Sequence, residues 1–184
     1  MENKGKLLVL SGPSGVGKGT VVKRLLEKDA NLALSVSATT RQIREGETHG
    51  VHYFYITRDE FENKIKNDEM LEYTQYNGNF YGTIQGYVEE LQQMGKTVLL
   101  EIEVDGAAQI KKKLPEAVTV FLTAPSVEEV ERRLRKRNTE SEEVIMKRLA
   151  IAQSEMAHAP EYDYVVCNDD VENAADRIIE ILKY

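Results

Sequence analysis

The densest chemistry in the sequence lies in Gly12-Pro13-Ser14-Gly15-Val16-Gly17-Lys18-Gly19-Thr20, where glycines are interspersed with two hydroxyls and an ammonium. Gly12, Gly15 and Gly17 can take backbone conformations closed to residues with a Cβ, so the chain can wrap a phosphate and turn successive amide N–H groups toward it. Leu7-Leu8-Val9-Leu10 before the stretch reads as a buried strand, and Val21-Val22-Lys23-Arg24-Leu25-Leu26 after it opens a helix. That helix start adds unpaired N–H groups and the positive end of a dipole. Strand, glycine loop and helix in this order form the context in which a phosphate loop is credible, and Lys18 would reach the β and γ phosphates of a nucleoside triphosphate. The plain alternative is a glycine-rich turn. One letter departs from the common pattern: Gly19 stands where a Ser or Thr normally meets Mg²⁺, and the hydroxyl follows at Thr20.

A second group of candidates follows at Thr39-Thr40-Arg41-Gln42-Ile43-Arg44-Glu45-Gly46-Glu47, with hydroxyls and two arginines and almost nothing to bury. A planar guanidinium suits phosphate and carboxylate oxygens, although surface arginines on a solvated loop look the same in sequence. Tyr53, Tyr81, Glu72 and Thr83 bring further hydroxyls and a carboxylate to the same part of the chain, enough to hold a phosphate and a base edge. Glu101 and Glu103 come at the end of an apolar run, the place where open α/β sheets bind ligands, and could meet Mg²⁺ through water or accept from a base or ribose. Arg132, Arg133, Arg135, Arg137 and Arg148 crowd a later charged region. Such a run is normally a solvated helix face, and only the upstream phosphate loop makes a lid bearing arginines onto a transferring phosphoryl group competitive.

The elements that would position these groups follow from apolar patterning. Strands are expected over 7–10, 33–37, 97–103, 118–122 and 164–167, the last one buried, with helices from about 18 to 28, 84–94, 107–113, 127–136, from Ser141 onward and 174–182. Between 51 and 83 the pattern turns antiparallel: a strand over 51–56, an amphipathic helix over 58–67 with Phe61 and Ile65 on one face, and strands over 70–76 and 79–83 joined by an Asn77-Gly78 turn. Strands alternating with helices argue for a parallel sheet wound on both faces, with right-handed crossovers and the phosphate loop at the sheet's C-terminal edge.

The 184 residues suffice for one compact unit with sub-domains. A net charge of −7 argues against a general nucleic-acid binder, because such binding draws on a basic surface. The single cysteine, Cys167, lies in an apolar run and reads as a small buried hydrophobe. No segment approaches a membrane span and the first residues lack a signal peptide's apolar core, so no membrane partner and a cytoplasmic address are expected.

Together, Gly12-Pro13-Ser14-Gly15-Val16-Gly17-Lys18, Ser35-Val36-Ser37-Ala38-Thr39-Thr40-Arg41, Arg44-Glu45-Gly46-Glu47, Asn79-Phe80-Tyr81-Gly82-Thr83 and Val166-Cys167-Asn168-Asp169-Asp170 resemble the guanylate kinase family over nearly the full chain and in the family's order. The resemblance implies an α/β P-loop nucleoside triphosphate hydrolase-like fold in three layers, with a five-stranded parallel sheet, a small mixed α+β insert and a helical lid. The core would comprise 1–36, 84–125 and 149–184, the GMP-binding insert 37–83 and the lid 126–148. It implies transfer of the γ-phosphoryl group of ATP to GMP, and to dGMP as a further acceptor, with Mg²⁺; the small-molecule substrates are the expected partners, and a homo-oligomer is left open.

Carried over by position, ATP binding falls on Gly12, Pro13, Ser14, Gly15, Val16, Gly17, Lys18, Gly19 and Thr20, with Asn168 near the adenine. GMP binding falls on Ser37, Arg41, Arg44, Tyr53, Glu72, Tyr81, Thr83 and Glu103. Arg41, Arg44, Tyr53 and Tyr81 would grip the GMP phosphate, and Glu72 would accept from the guanine N1–H and 2-amino group beside Ser37 and Thr83. Lys18, Arg41, Arg137 and Arg148 would act on the transferring group, and Thr20 is the candidate metal contact. Lys136 and Asn138 replace the family's usual glycines in the lid, and Glu101 and Glu103 replace its aspartates. Alternative readings are a related small kinase for another phosphorylated acceptor, a non-catalytic phosphopeptide-binding module of the same family, and nucleic-acid binding.

Overall fold

The computed structural model describes residues 4–136 and 141–183. Its centre is the strand β1 (Leu7–Ser11), five consecutive buried residues, which is what a central strand covered on both faces requires. Alternation of side chains sends Leu8 and Leu10 into one core and Leu7 and Val9 into another. Around it lie β2 (Leu32–Leu34), β7 (Thr97–Glu101), β8 (Val118–Thr123) and β9 (Tyr164–Cys167), in the spatial order β2-β7-β1-β8-β9 with every pair parallel.

The first core packs α1 (Lys18–Lys28), α5 (Val127–Lys136), α6 (Glu142–Met156) and α7 (Val171–Leu182) on the sheet through Leu25, Leu134, Leu149 and Ile178. The second packs α3 (Gln85–Gln93) and α4 (Val104–Lys113) on its other side through Val88, Ala107 and Ile110. Ser141 and Asp170 cap α6 and α7 with side-chain oxygens, satisfying N–H groups the helices leave over.

A smaller sheet sits between α1 and α3 in the chain: β3 (Ala38–Thr39), β4 (Phe54–Tyr55), β5 (Met70–Tyr76) and β6 (Asn79–Ile84), in the order β4-β3-β6-β5. The helix α2 (Arg58–Lys66), opened by a Thr57–Glu60 capping box, buries Phe61 against Met70 and Ala38. Positive φ at Asn77 (48°) and Gly78 (79°) gives β5 and β6 the tight hairpin expected of that pair.

Several boundaries differ from the sequence reading. The single strand expected over 33–37 is divided: Ser35 N makes a last bond to Leu99 O at 2.9 Å on the large sheet, and Ala38 then pairs with Gly82 and Phe54 on the small one. The strand expected over 51–56 shrinks to Phe54–Tyr55 because β3 offers only two residues to pair with, and 48–52 coil instead, with Val51 N and His52 N on Thr48 O. That pair is parallel, so the small sheet is mixed rather than antiparallel throughout. The strand read over 97–103 stops at Glu101, and Glu103 becomes the N-cap residue of α4, its carbonyl accepting from Ala107 N; α4 therefore starts at Val104, ahead of the expected 107. The strand β9 is an edge and not a buried strand: Val166 is enclosed, but Tyr164 and Val165 are 42% and 52% exposed. Among the described residues no helix is long and apolar enough to cross a membrane.

The burial difference predicts a stability contrast. Ile178→Ala, which empties a fully buried site, should lower the unfolding free energy by about 2–5 kcal/mol in urea titrations. Val165→Ala should stay within about 1 kcal/mol of the parent, and equal costs at the two positions would contradict the packing described.

Candidate active site

The chain leaves β1 at Gly12 with φ of 149° and with its Cα so close to β8 that a Cβ there would lie 2.2 Å from the Leu122 carbonyl oxygen. No other residue fits without moving backbone. The loop closes with Val16 N on Pro13 O at 3.3 Å and enters α1 at Gly17, whose φ of 95° is left-handed and where a Cβ would meet Asn168 Nδ2 at 2.8 Å. No side chain caps this helix start, and its first turn carries no acid, so its N–H groups and dipole face a ligand site uncompensated.

The Val16 carbonyl is held twice, by Asn168 Nδ2 at 2.8 Å and by Arg133 Nη1 at 3.0 Å, while Arg133 Nη2 donates to the Asn168 carbonyl at 2.8 Å. In a planar trans peptide the following N–H points the opposite way, so fixing this carbonyl aims Gly17 N–H to the other side of the loop. Asn168, expected near a nucleotide base, is thus buried (3% exposed) with its amide nitrogen bracing the loop, and its Oδ1 has no protein partner. The Lys18 ammonium lies over the loop and donates to the Gly12 carbonyl.

The helix α6 reaches the same loop with both signs of charge. Arg148 donates to Ser14 Oγ through Nε at 2.9 Å and Nη2 at 2.7 Å, and two turns further along the same face Glu155 Oε2 accepts from Ser14 N at 3.2 Å. Burial pushes the Glu155 carboxyl above its ordinary range, with the Ser14 amide and Lys18 opposing and Glu103 and Asp105 adding. Glu101 shows the same direction, from desolvation, although its residue reaches solvent; Lys18 opposes it and Glu103 adds to it. Thr20 is exposed on the first turn of α1.

The small sheet gathers the other expected residues. Arg41 forms a two-pronged ion pair with Glu47, at 2.8 and 2.9 Å, and Glu47 also accepts from Arg44 N at 2.8 Å. The Arg41 guanidinium lies 5.5 Å from the Tyr53 ring centre, and Tyr53 meets Tyr81 edge-on at 6.1 Å. Arg44 is exposed. Glu72 is buried at 5% exposure, Thr83 Oγ1 donates to its Oε1 at 2.7 Å, and burial raises its carboxyl pKa against the lowering by Thr83. Ser37 is half-buried just before β3, its carbonyl accepting from Phe54 N on β4. Glu101 links the two halves, because its charge acts on both Lys18 and Tyr53. Arg137 lies outside the described residues, as does Asn138.

Sequence reasoning gave no role to Glu47 or Glu155, and it grouped Arg133 with the lid arginines, whereas Arg133 braces the loop at the Val16 carbonyl. The first carries a signal in its spacing, an acid six residues after one arginine and three after another. Glu155 stands seven residues from Arg148, the same helix face, but nothing local says that this face meets the loop.

A parallel sheet that delivers a glycine loop onto an uncapped helix is the P-loop kinase arrangement. Its fold is shared with shikimate kinase from Bacteroides thetaiotaomicron, at 15% identity and a TM-score of 0.53 over 97% of this chain and 99% of that one. Similarity in sequence is far closer elsewhere. The guanylate kinase family model matches residues 4–184. Guanylate kinases of Lactococcus lactis and Oceanobacillus iheyensis are 52% and 50% identical over all of this chain and 89% of their own length. The crystal structure of guanylate kinase from Anaplasma phagocytophilum superposes with a TM-score of 0.75 at 38% identity, covering 99% of this chain and 86% of that one. The chain belongs to the guanylate kinase family.

The Arg41–Glu47 pair carries a pH signature. Its Glu47 carboxyl is held down at about 2 from an ordinary 4.5, chiefly by Arg41 and next by the Arg44 amide. A depressed carboxylate contributes stability above its unfolded pKa and loses it as pH falls through the folded value. Glu47→Gln should therefore be less stable than the parent at neutral pH, and the gap should close between about pH 4.5 and about 2. Denaturation of both proteins across that window checks it; a gap independent of pH would contradict the pairing.

Proposed function

We propose that the protein transfers the γ-phosphoryl group of ATP to GMP, giving ADP and GDP. The observation that carries this reading is that the chain combines a phosphate loop of the required backbone geometry with a buried carboxylate, Glu72, already ordered by Thr83. Guanine offers N1–H and a 2-amino group to that carboxylate. Adenine offers neither, and a buried acceptor left unpaired is strongly penalised.

The loop from Gly12 to Thr20 binds the triphosphate, with Lys18 neutralising charge on the β and γ phosphates. Arg41, Arg44, Tyr53 and Tyr81 hold the GMP phosphate so that its oxygen lies in line with the γ phosphorus. The Arg41 fork is pre-set by Glu47, which a doubly charged phosphate must displace or share. Ser37 and Glu103 complete the nucleotide contacts. Arg148, held at Ser14, and Arg137 act on the charge that spreads over the phosphoryl group in transfer. Asn168 contributes by shaping the loop, and its buried Oδ1 has no protein partner. The pieces 1–36, 84–125 and 149–184 act as the core, with 37–83 as the GMP insert and 126–148 as a lid that excludes water as a competing acceptor.

Bound with the nucleotide, Mg²⁺ would supply positive charge that offsets the charge of the triphosphate. Thr20, exposed on α1, and Glu101, beside Lys18, would hold it. Among the described residues no group of three or more His, Cys, Asp or Glu could hold a metal ion. The intact loop and Lys18 favour catalysis over a phosphopeptide-binding role.

A coupled assay of ADP formation against GMP, AMP, dTMP and sugar phosphates tests the reading, and absence of ATP-dependent conversion of GMP would overturn it. Lys18→Ala should lower kcat by about 10²–10³-fold without unfolding the protein. Glu72→Gln should cut the preference for GMP over AMP by about 10²-fold, since an amide cannot accept at both positions. An unchanged preference would remove Glu72 from base recognition.

A further inference from the structure

Glu72 does not hold its own position. It follows a register shift in β5, where Met70 pairs with Ile84 and Glu72 with Thr83, and β5 is the edge strand of the small sheet. A bulge re-aims side chains, and an edge strand is the one most easily displaced. What lies along this edge is α4, which belongs to the other sheet's core.

Three positions on one face of α4 meet β5 around the bulge. Gly106 is buried against the Glu72 carboxylate: a Cβ there would lie 2.8 Å from Oε2 and 3.3 Å from Cδ. Gln109, a turn later, acts as a strand surrogate, its Oε1 accepting from Tyr73 N at 3.1 Å and its Nε2 donating to Tyr73 O at 3.0 Å. Lys113, a further turn on, donates to the Met70 carbonyl at 2.7 Å. The bulge is thus gripped on both sides while Leu71 is buried in the same core as Ala107 and Ile110.

We propose that α4 sets the position of the base-reading carboxylate, with Gly106 and Gln109 as positioning residues for guanine selectivity. Gly106 leaves the space the carboxylate occupies, and Gln109 fixes the register of the residue after it. This rests on the reading of Glu72 as the guanine acceptor.

The two roles separate from plain structural support. Alanine is the better helix former at a helical position, and the atom that Gly106→Ala would crowd is the far end of a flexible side chain, so the fold accommodates it by moving Glu72. The Tyr73 backbone released by Gln109→Ala lies on a solvent-exposed residue, where water replaces the lost bonds.

Steady-state kinetics of Gly106→Ala, Gln109→Ala and Glu72→Gln, with ATP and GMP varied in turn, AMP as competitor acceptor and thermal unfolding alongside, test the proposal. Both α4 variants should raise KM for GMP about tenfold and lower the preference for GMP over AMP, with KM for ATP within about twofold of the parent and no loss of Tm in Gly106→Ala. On the Glu72→Gln background, Gly106→Ala should cause no further loss of preference. If Glu72→Gln loses the preference while both α4 variants keep parental KM for GMP, the inference is overturned and the reading of Glu72 survives. Parallel shifts in Tm and in both KM values would overturn it as well, since they mark structural support alone. A Glu72→Gln protein with parental preference would overturn both.

Discussion

The Val16 carbonyl is the point on which the catalytic end of the molecule depends. It accepts from Asn168 on the segment after β9 and from Arg133 on α5, so three parts of the chain far apart in sequence are tied at one peptide. Because a peptide is planar, holding its oxygen also orients the neighbouring N–H, and the loop keeps its curvature by bonds to the side away from the ligand. The glycines then follow as a consequence. Gly12 passes under the Leu122 carbonyl and Gly17 turns against Asn168, approaches that only a residue without a Cβ allows.

Charge in the cleft is arranged as competition. Glu47 occupies the Arg41 fork and Glu155 accepts from the Ser14 amide, both groups to which the proposed substrates bring phosphate oxygens. A carboxylate in such a position keeps a donor oriented, and a phosphate, with more charge and more acceptor oxygens, can take its place. Burial raises the carboxyl pKa of both Glu101 and Glu155; the Lys18 charge opposes that rise in each and the Glu103 charge adds to it, so acids and one ammonium share this end of the sheet.

The two sheets meet through α4 and β5 rather than through a continuous ladder. Leu71 enters the core of the large sheet while Met70, its neighbour, enters that of the small one. Alternation along the strand sends these neighbours to different cores, and the bulge between Met70 and Glu72 then changes the register at the carboxylate.

What the sequence determined by itself is whatever depends on neighbours along the chain. The loop at 12–20, the Asn77-Gly78 turn and the helix start at Ser141 are local geometry written in local residues, and the unbroken apolar run from Leu7 to Leu10 already implies a buried strand. The motif resemblance carried the candidate site residues with it. Tertiary structure alone decided the rest: that 33–37 is shared between two sheets, that β9 is an exposed edge, that Asn168 braces the loop, and that Gln109 stands in for a strand beside Tyr73. Each of those depends on which distant backbone presents an unpaired N–H or carbonyl at hydrogen-bonding distance. That partner is set by packing, and no periodicity in one segment encodes it.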